Sequence, residues 1–225
     1  MFIEMAYPLS PDGPIFPGLP HDEFIPHTRM SEGGESNTTM VKHFLHNGTH
    51  VDAPFHFCDR GKTIDQIPIE DFCYTKPLVV QKMLPKGGFF QLHDMEACGA
   101  SLYEADILLL CTGYHALRYD RAVYMDDFPA LSVEAARLIR TELLNVKAVA
   151  IDTLSIESCR LGPQKNFTVH KTLLDSNIYS TRPVLIFEDV DMGPILTRQI
   201  KRIYAFPLRL TGLDASPVSI VAEVL

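Results

Sequence analysis

Three imidazoles and one carboxylate stand at even-numbered positions of the stretch His46-Asn47-Gly48-Thr49-His50-Val51-Asp52-Ala53-Pro54-Phe55-His56. Because side chains of a strand alternate between its two faces, these four polar groups would share one face if the stretch is extended. Neutral imidazoles together with a carboxylate suit zinc or manganese. The stretch therefore predicts a metal site with a coordination position left for water, as in catalytic sites.

A helical reading of the same stretch is the alternative, because His46 and His50 have the four-residue spacing of zinc ligands on a helix. Gly48, the β-branched Thr49 and the restriction that Pro54 places on the residue before it all disfavour a helix. We therefore expect a strand that runs into a loop. A straight strand is too long to gather all four groups, so we also expect a bend at Gly48 that returns His46 toward the others.

The composition bounds the class of protein. At 225 residues, of which 46% are hydrophobic and 21% charged, we expect one globular domain over residues 1–225. Because the net charge is -8 and Lys and Arg are not clustered, we do not expect the protein to bind nucleic acid. No apolar run approaches membrane-spanning length, so no membrane association is expected. Five scattered cysteines and the absence of a secretory signal predict a cytoplasmic location.

Apolar segments along the chain predict a mixed fold. Five of them have strand character: Leu78–Met83, Ile107–Cys111, Val146–Asp152, Val184–Phe187 with Glu188 at its end, and Lys201–Leu225. Ser132 is a predicted cap of one helix, and a second helical stretch begins near His170. Strands alternating with one or two helices predict a mixed α/β domain whose sheet curves around the site.

Residues 46–57 closely resemble the signature His-X-Gly-Thr-His-X-Asp-X-Pro-X-His of the metal-dependent cyclase-like hydrolases, the family of bacterial kynurenine formamidase and isatin hydrolase. Further blocks that look like the family are Tyr7-Pro8-Leu9-Ser10, Pro14–Gly18, Leu108–Tyr114 and Asp152-Thr153-Leu154-Ser155. The resemblance implies a compact fold of the swivelling β/β/α type. It also implies a homo-oligomer, either a homodimer or a homotetramer.

The resemblance implies roles for the residues of the stretch. His46, His50 and Asp52 would be metal ligands, and His56 would donate and accept the proton. Family members commonly add a histidine and a glutamate from the C-terminal third, with the glutamate bridging two metals together with the aspartate.

His170 and Glu188 match those two additional ligands. Residues Tyr179–Pro183 look inserted between them, so Asp189 or Asp191 remains an alternative to Glu188. One or two divalent ions per subunit are expected.

The predicted activity is hydrolysis of an amide bond in a small-molecule substrate, in the manner of an arylformamidase. A divalent cation makes water more acidic, and His56 would serve as general base and acid. Phe16, with Phe55 or Phe57, would flank an aromatic or cyclic substrate. Kynurenine formamidases resembled here tend to have tryptophan in place of Phe16, so a lactone or imide hydrolase or a cyclase is an alternative. A metal-binding module without turnover is another.

Overall fold

The predicted strand segments all lie in one nine-stranded sheet of the computed structural model, which describes residues 1–225. In chain order, the strands are β1 (Phe2–Glu4), β2 (Glu23–Thr28), β3 (Thr38–Lys42), β4 (His50–Asp52), β5 (Cys73–Tyr74), β6 (Pro77–Gln81), β7 (Phe89–Phe90), β8 (Ile107–Cys111), β9 (Ala130–Leu131), β10 (Ala148–Ile151), β11 (Leu185–Glu188), β12 (Ile200–Pro207) and β13 (Ala215–Val224). The order across the large sheet is β5-β12-β13-β4-β11-β10-β8-β6, and β1 pairs with β13. Two small sheets, β2-β3 and β7-β9, complete the strands.

The large sheet is parallel in one half and antiparallel in the other. Strands β6, β8, β10 and β11 run parallel to one another, whereas β12 and β13 form an antiparallel pair. Strand β4 lies between the two halves and is antiparallel to both β11 and β13. The motif strand is therefore central in the sheet, where it has a hydrogen-bonded neighbour on each side.

Five short α-helices accompany the strands, more than the one or two expected. They are α1 (Leu92–Glu96), α2 (Ala100–Glu104), α3 (Arg121–Tyr124), α4 (Val133–Thr141) and α5 (Thr168–Leu174). Helices α1 to α3 have only four or five residues, too few to leave a helical periodicity in the sequence. The predicted cap of α4 is confirmed, since Ser132 Oγ accepts a hydrogen bond from the Ala135 amide at 3.2 Å. None of the helices combines the length and apolar character that a membrane crossing requires.

Hydrophobic cores lie on both faces of the parallel strands. Along β10, Ala148 contributes to one core and Val149 to the other, as alternation requires. The first core also contains Ile203 from β12, whereas the second contains Ile139 from α4 and Leu173 from α5. Strands therefore cover one face of the parallel strands and helices cover the other, which confirms the predicted mixed α/β fold of β/β/α type.

Candidate metal centre

Strand β4 forms the floor of the site, and all three of its residues are buried. Alternation places His50 and Asp52 on one face of the sheet, while Val51 packs in the hydrophobic core on the other. Pairing with β11 sets Glu188 opposite His50, and pairing with β13 sets Ala215 opposite Asp52. Strand register thus brings a distant carboxylate next to the motif.

The predicted bend at Gly48 is confirmed. Gly48 has φ of 66°, in the left-handed region that favours glycine. The turn returns His46 to the strand, so that its Nδ1 lies 2.9 Å from Asp52 Oδ1. Because β4 covers only three residues, the shared strand face holds for His50 and Asp52 alone. His56 reaches the site from a 3-10 turn over Pro54–His56.

His56 lies beside His46, with ring centroids 4.1 Å apart. Both rings face Asp214, whose Oδ2 is 2.8 Å from His46 Nε2 and 3.4 Å from His56 Nδ1. The Asp214 carbonyl accepts a hydrogen bond from the Ala53 amide at 2.8 Å, which ties the start of β13 to the motif. Sequence reasoning missed Asp214, because nothing around it marks a functional group and only the pairing of β4 with β13 brings it here.

His170 and Glu188, which the resemblance implied as ligands, lie next to the motif residues. His170 Nε2 is 3.3 Å from Glu188 Oε1 and 3.8 Å from Asp52 Oδ2. His50 Nε2 is 3.4 Å from the other oxygen of each carboxylate. The two carboxylates therefore each face both imidazoles, with one oxygen toward each ring.

The two alternatives to Glu188 point away from this cluster. Asp189 turns its carboxylate to Arg118, whose Nη2 donates to it at 2.7 Å. Asp191 accepts a hydrogen bond from the Gly193 amide at 3.0 Å. Residues 179–183 form a loop before β11, and the register of that strand places Glu188 rather than either aspartate beside His50.

Three polar atoms at the centre of the site make no hydrogen bond of good geometry, although imidazoles and carboxylates face each other there: His50 Nε2 and both carboxylate oxygens of Asp52. Because all three are buried, leaving them unsatisfied costs free energy. A divalent cation between them would satisfy all three, since zinc and manganese accept both imidazole nitrogens and carboxylate oxygens. The residues present therefore fit a metal ion.

The candidate ligand atoms fall into two groups, each with its atoms within 4.8 Å of one another. One group contains His46, Asp52 and His56, and the other contains His50, Asp52 and Glu188. Asp52 is common to both. The arrangement thus offers places for one ion or for two that share a carboxylate.

In each candidate imidazole ligand, one ring nitrogen faces the cluster and the second nitrogen contacts another group of the protein. His46 Nε2 contacts Asp214 at 2.8 Å, and His50 Nδ1 contacts the Gly48 carbonyl at 2.8 Å. His170 Nδ1 contacts Glu157 Oε2 at 2.9 Å. Such partners fix the orientation of metal-binding histidines. Glu157 was not singled out from the sequence, although it lies two residues beyond the block that ends at Ser155.

The carboxylates of the cluster stabilise the protonated, positively charged form of the neighbouring imidazoles. Burial lowers the pKa of His46, but Asp52 and the hydrogen bond with Asp214 outweigh burial and raise it to about 9. Burial likewise lowers the pKa of His170, and hydrogen bonds to two carboxylates raise it to about 10. Burial raises the pKa of Glu188, whereas the imidazoles of His170 and His50 that face it lower the pKa to about 2. Bound protons thus supply positive charge where a metal ion would supply it instead.

The cluster opens into a cavity of about 210 Å³. The cavity is lined by Phe16, Leu19, Phe44, His46, His56, Phe57, Leu154, Ser155, Phe167, His170 and Glu188. Phe16 and Phe57 therefore lie where a substrate would be flanked, but the expectation for Phe55 is corrected. Phe55 is 36% exposed and lies outside the cavity. In a 3-10 turn successive side chains point about 120° apart, so Phe55 turns away where His56 turns in.

A second group of residues could also hold a metal: Cys111, His115 and Asp152, which we call the strand-end cluster because it lies where β8 and β10 end. Here the carboxylate of Asp152 accepts hydrogen bonds from the amides of Thr112 and Gly113 at 2.8 and 2.9 Å and contacts His115 Nδ1 at 2.8 Å. Burial and Asp152 raise the pKa of the Cys111 thiol to about 12. The protein itself supplies hydrogen-bond partners for the Asp152 carboxylate. We therefore assign this cluster a structural role, which is to join the ends of β8 and β10.

Residues 3–158 match the sequence family described as putative cyclase, which is more than half of the chain. Kynurenine formamidase of Bacillus cytotoxicus is 25% identical over 224 residues, covering 100% of this chain and 98% of that protein. Kynurenine formamidase of Bacillus cereus is 25% identical over 220 residues, covering 98% of this chain and 96% of that protein.

Solved structures share the fold over the whole chain. Isatin hydrolase A from Ralstonia solanacearum superposes with a TM-score of 0.82 at 18% identity, covering 99% of this chain and 91% of that one. A potential metal-dependent hydrolase with cyclase activity superposes with a TM-score of 0.75 at 22% identity, covering 99% and 96%.

Proposed function

This chain belongs to the cyclase family, and on that premise we propose that it is a metal-dependent hydrolase that cleaves an amide bond of a small aromatic or cyclic substrate. The observation that carries the proposal is the convergence of five side chains around buried polar atoms that have no hydrogen-bond partner. These side chains are His46, His50, Asp52, His170 and Glu188. Relatives called kynurenine formamidase and a structural neighbour called isatin hydrolase support a hydrolase.

We propose that His46, His50 and Asp52 hold a divalent ion, and that His170 and Glu188 complete this site or a second one. Nitrogen and oxygen donors without thiolate suit zinc or manganese, and the absence of cysteine among them argues against a closed structural zinc site. When bound, the ion would polarise the substrate carbonyl and make a water molecule more acidic.

His56 is the residue that we propose to move protons. It lines the cavity, and its Nδ1 faces Asp214 at 3.4 Å, which leaves Nε2 for exchange with substrate and water. Nε2 would accept a proton from the attacking water and then donate it to the departing nitrogen, so that amide and water yield a carboxylic acid and an amine. The Asp214 carboxylate would orient the ring and stabilise its protonated form.

The test is the substitution His56→Ala. The wild-type and variant proteins are loaded with zinc or manganese and assayed on a panel of aryl formamides and cyclic amides, imides and lactones. We expect turnover to fall by about 10²- to 10⁴-fold, because general acid–base catalysis contributes that much, while the metal content by elemental analysis is unchanged.

His93→Ala is the matched control, because the His93 side chain is 73% exposed and lies on α1 away from the site. Unchanged turnover of a cleaved substrate by His56→Ala would refute the role of His56. A protein that retains its metal and cleaves nothing on the panel would instead be a binding module without turnover.

We also propose a cytoplasmic, homodimeric or homotetrameric protein that folds as one domain over residues 1–225. All five cysteines are free thiols, which supports a reducing compartment. Light scattering gives the mass of the assembly, and a single calorimetric unfolding transition would support one domain.

A further inference from the structure

We call His46, His50, Asp52, His170 and Glu188 the metal cluster. Apart from this cluster, His56 and Ser155, the cavity wall is apolar. Its side chains are Phe16, Leu19, Phe44, Phe57, Leu154 and Phe167. No lysine or arginine lines the cavity, and its titratable members are His56 and residues of the metal cluster. The Ser155 hydroxyl already donates to Glu188 Oε1 at 3.1 Å. The wall therefore offers a substrate apolar contact and no cationic group.

The two buried arginines of the chain are engaged elsewhere. Arg118 forms an ion pair with Asp189, and Arg140 donates to the carbonyls of Leu173 and Asp175. A substrate carboxylate held against the cavity wall would lose its water without gaining a hydrogen-bond donor or a counter-ion. Burying a charge in this way is strongly unfavourable.

The size of the cavity bounds the rest of the substrate. An engineered cavity of about 150 Å³ in another protein holds benzene. The cavity here, at about 210 Å³, has room for one aromatic ring and a small polar group. That space matches an aryl amide or a fused cyclic amide.

We infer that the substrate bears no carboxylate on the part that enters the cavity, so that this chain favours uncharged aryl amides over formylated aromatic amino acids. The inference rests on the proposed function and narrows it. This substrate preference would differ from the one that the name of the kynurenine formamidase relatives indicates, because kynurenine is an amino acid with a carboxylate and an ammonium group.

The test compares two formamides of almost equal shape, 4-formamidobenzamide and 4-formamidobenzoate, with formanilide as the unsubstituted reference. Each reacts with one water to give formic acid and an aniline. The para substituent lies across the ring from the reacting amide, so it meets the cavity wall while the formyl group meets the metal cluster. We expect kcat/KM for the carboxamide to exceed that for the carboxylate by about tenfold or more.

A variant that adds the missing cation sharpens the test. Leu19→Arg places a guanidinium in the cavity wall and should raise kcat/KM for 4-formamidobenzoate relative to the carboxamide by about tenfold. Leu144→Arg is the matched control, because Leu144 is 66% exposed and lies outside the cavity, and it should leave the ratio unchanged. Thermal melting checks that both variants are folded.

A binding measurement supplies a readout that does not depend on turnover. Calorimetry on metal-free protein compares the binding of 4-acetamidobenzamide and 4-acetamidobenzoate by wild type and by Leu19→Arg, because the protonated imidazoles of the cluster are the same in both proteins and only the cavity wall differs. We expect wild type to bind the amide more tightly than the benzoate, and Leu19→Arg to raise the affinity for the benzoate relative to that for the amide by about tenfold.

Equal rates and equal affinities for the two members of each pair, or faster cleavage of formylkynurenine than of formanilide, would overturn the inference and leave the hydrolase proposal standing. Cleavage of none of the formamides or cyclic amides by metal-loaded protein would overturn both.

Discussion

The metal cluster and the strand-end cluster contain similar residues at similar places in the sheet, yet their carboxylates are in opposite states. Asp152 accepts hydrogen bonds from two backbone amides and contacts His115, so its oxygens are satisfied by the protein. Asp52 is fully buried and accepts no backbone amide; only imidazoles face its oxygens, with His46 Nδ1 at 2.9 Å, and none of them makes a hydrogen bond of good geometry. A candidate metal site is therefore distinguished by buried polar atoms that lack hydrogen-bond partners, and not by its residue types alone.

The strongest test of this comparison removes each carboxylate in turn. Asp52→Asn should abolish stoichiometric metal binding and lower turnover by about 10³-fold or more, because the ion contributes several kcal/mol to catalysis. Asp152→Asn should leave metal content unchanged and destabilise the fold by about 2 kcal/mol, because charged hydrogen bonds to buried amides are lost. Elemental analysis, turnover and denaturant unfolding measure the two effects. Loss of metal from Asp152→Asn alone would reverse our assignment of the two clusters.

A smaller effect is expected from the carboxylates that hold the imidazoles. Asp214→Asn and Glu157→Gln should each weaken metal affinity by about 10- to 100-fold, because they orient His46 and His170. Competition with a chelator measures the affinity. Glu134→Gln, on the exposed side of α4, serves as the control and should have no effect.

The response to pH should differ between metal-free and metal-loaded protein. The pKa values of His46 and His170 are raised to about 9 and about 10 in the folded metal-free chain. The stabilisation from these raised values is therefore complete below the ordinary histidine pKa of about 6.5 and is lost as pH rises through about 9 to 10. We expect the melting temperature of metal-free protein to fall over that range and that of loaded protein to fall less, because the ion replaces the protons.

Melting curves across this range decide the point, and His115→Gln in the strand-end cluster provides the control. That variant should keep the difference between free and loaded protein. Parallel melting curves for the free and loaded forms would contradict the exchange of protons for metal.

The smallest predicted effect concerns the turn that returns His46 to the strand. Gly48→Ala should cost about 1–2 kcal/mol of stability, because φ of 66° is strained for alanine, and it should also weaken metal binding. Gly33→Ala has φ of 87° and no atom near the added methyl, so it reproduces the strain away from the site. Denaturant unfolding together with metal titration separates the two consequences; equal metal affinity in both variants would show that the bend does not position His46.

Several features of the site were predictable because they depend on local rules. Strand periodicity placed His50 and Asp52 on one face, and the conformational freedom of glycine predicted the bend at Gly48. Apolar runs predicted the central strands, although α1 to α3 were too short to predict. The family resemblance, rather than any local rule, pointed to His170 and Glu188.

Other features depended on contacts between distant segments. Phe55 and His56 point in different directions because both lie in a short 3-10 turn. The local sequence pattern does not predict that turn. The choice of Glu188 over Asp189 depends on the register of β11 against β4 and on the pairing of Asp189 with Arg118.

The sequence by itself determined which chemistry the motif carries, since the imidazoles, the carboxylate and the glycine lie within one short segment whose local geometry is restricted. Only the tertiary structure decided which further groups surround that motif, including Asp214, Glu157 and the apolar wall without cations. Those groups come from segments that meet through strand pairing and core packing, and such long-range contacts leave no periodic trace in the local sequence.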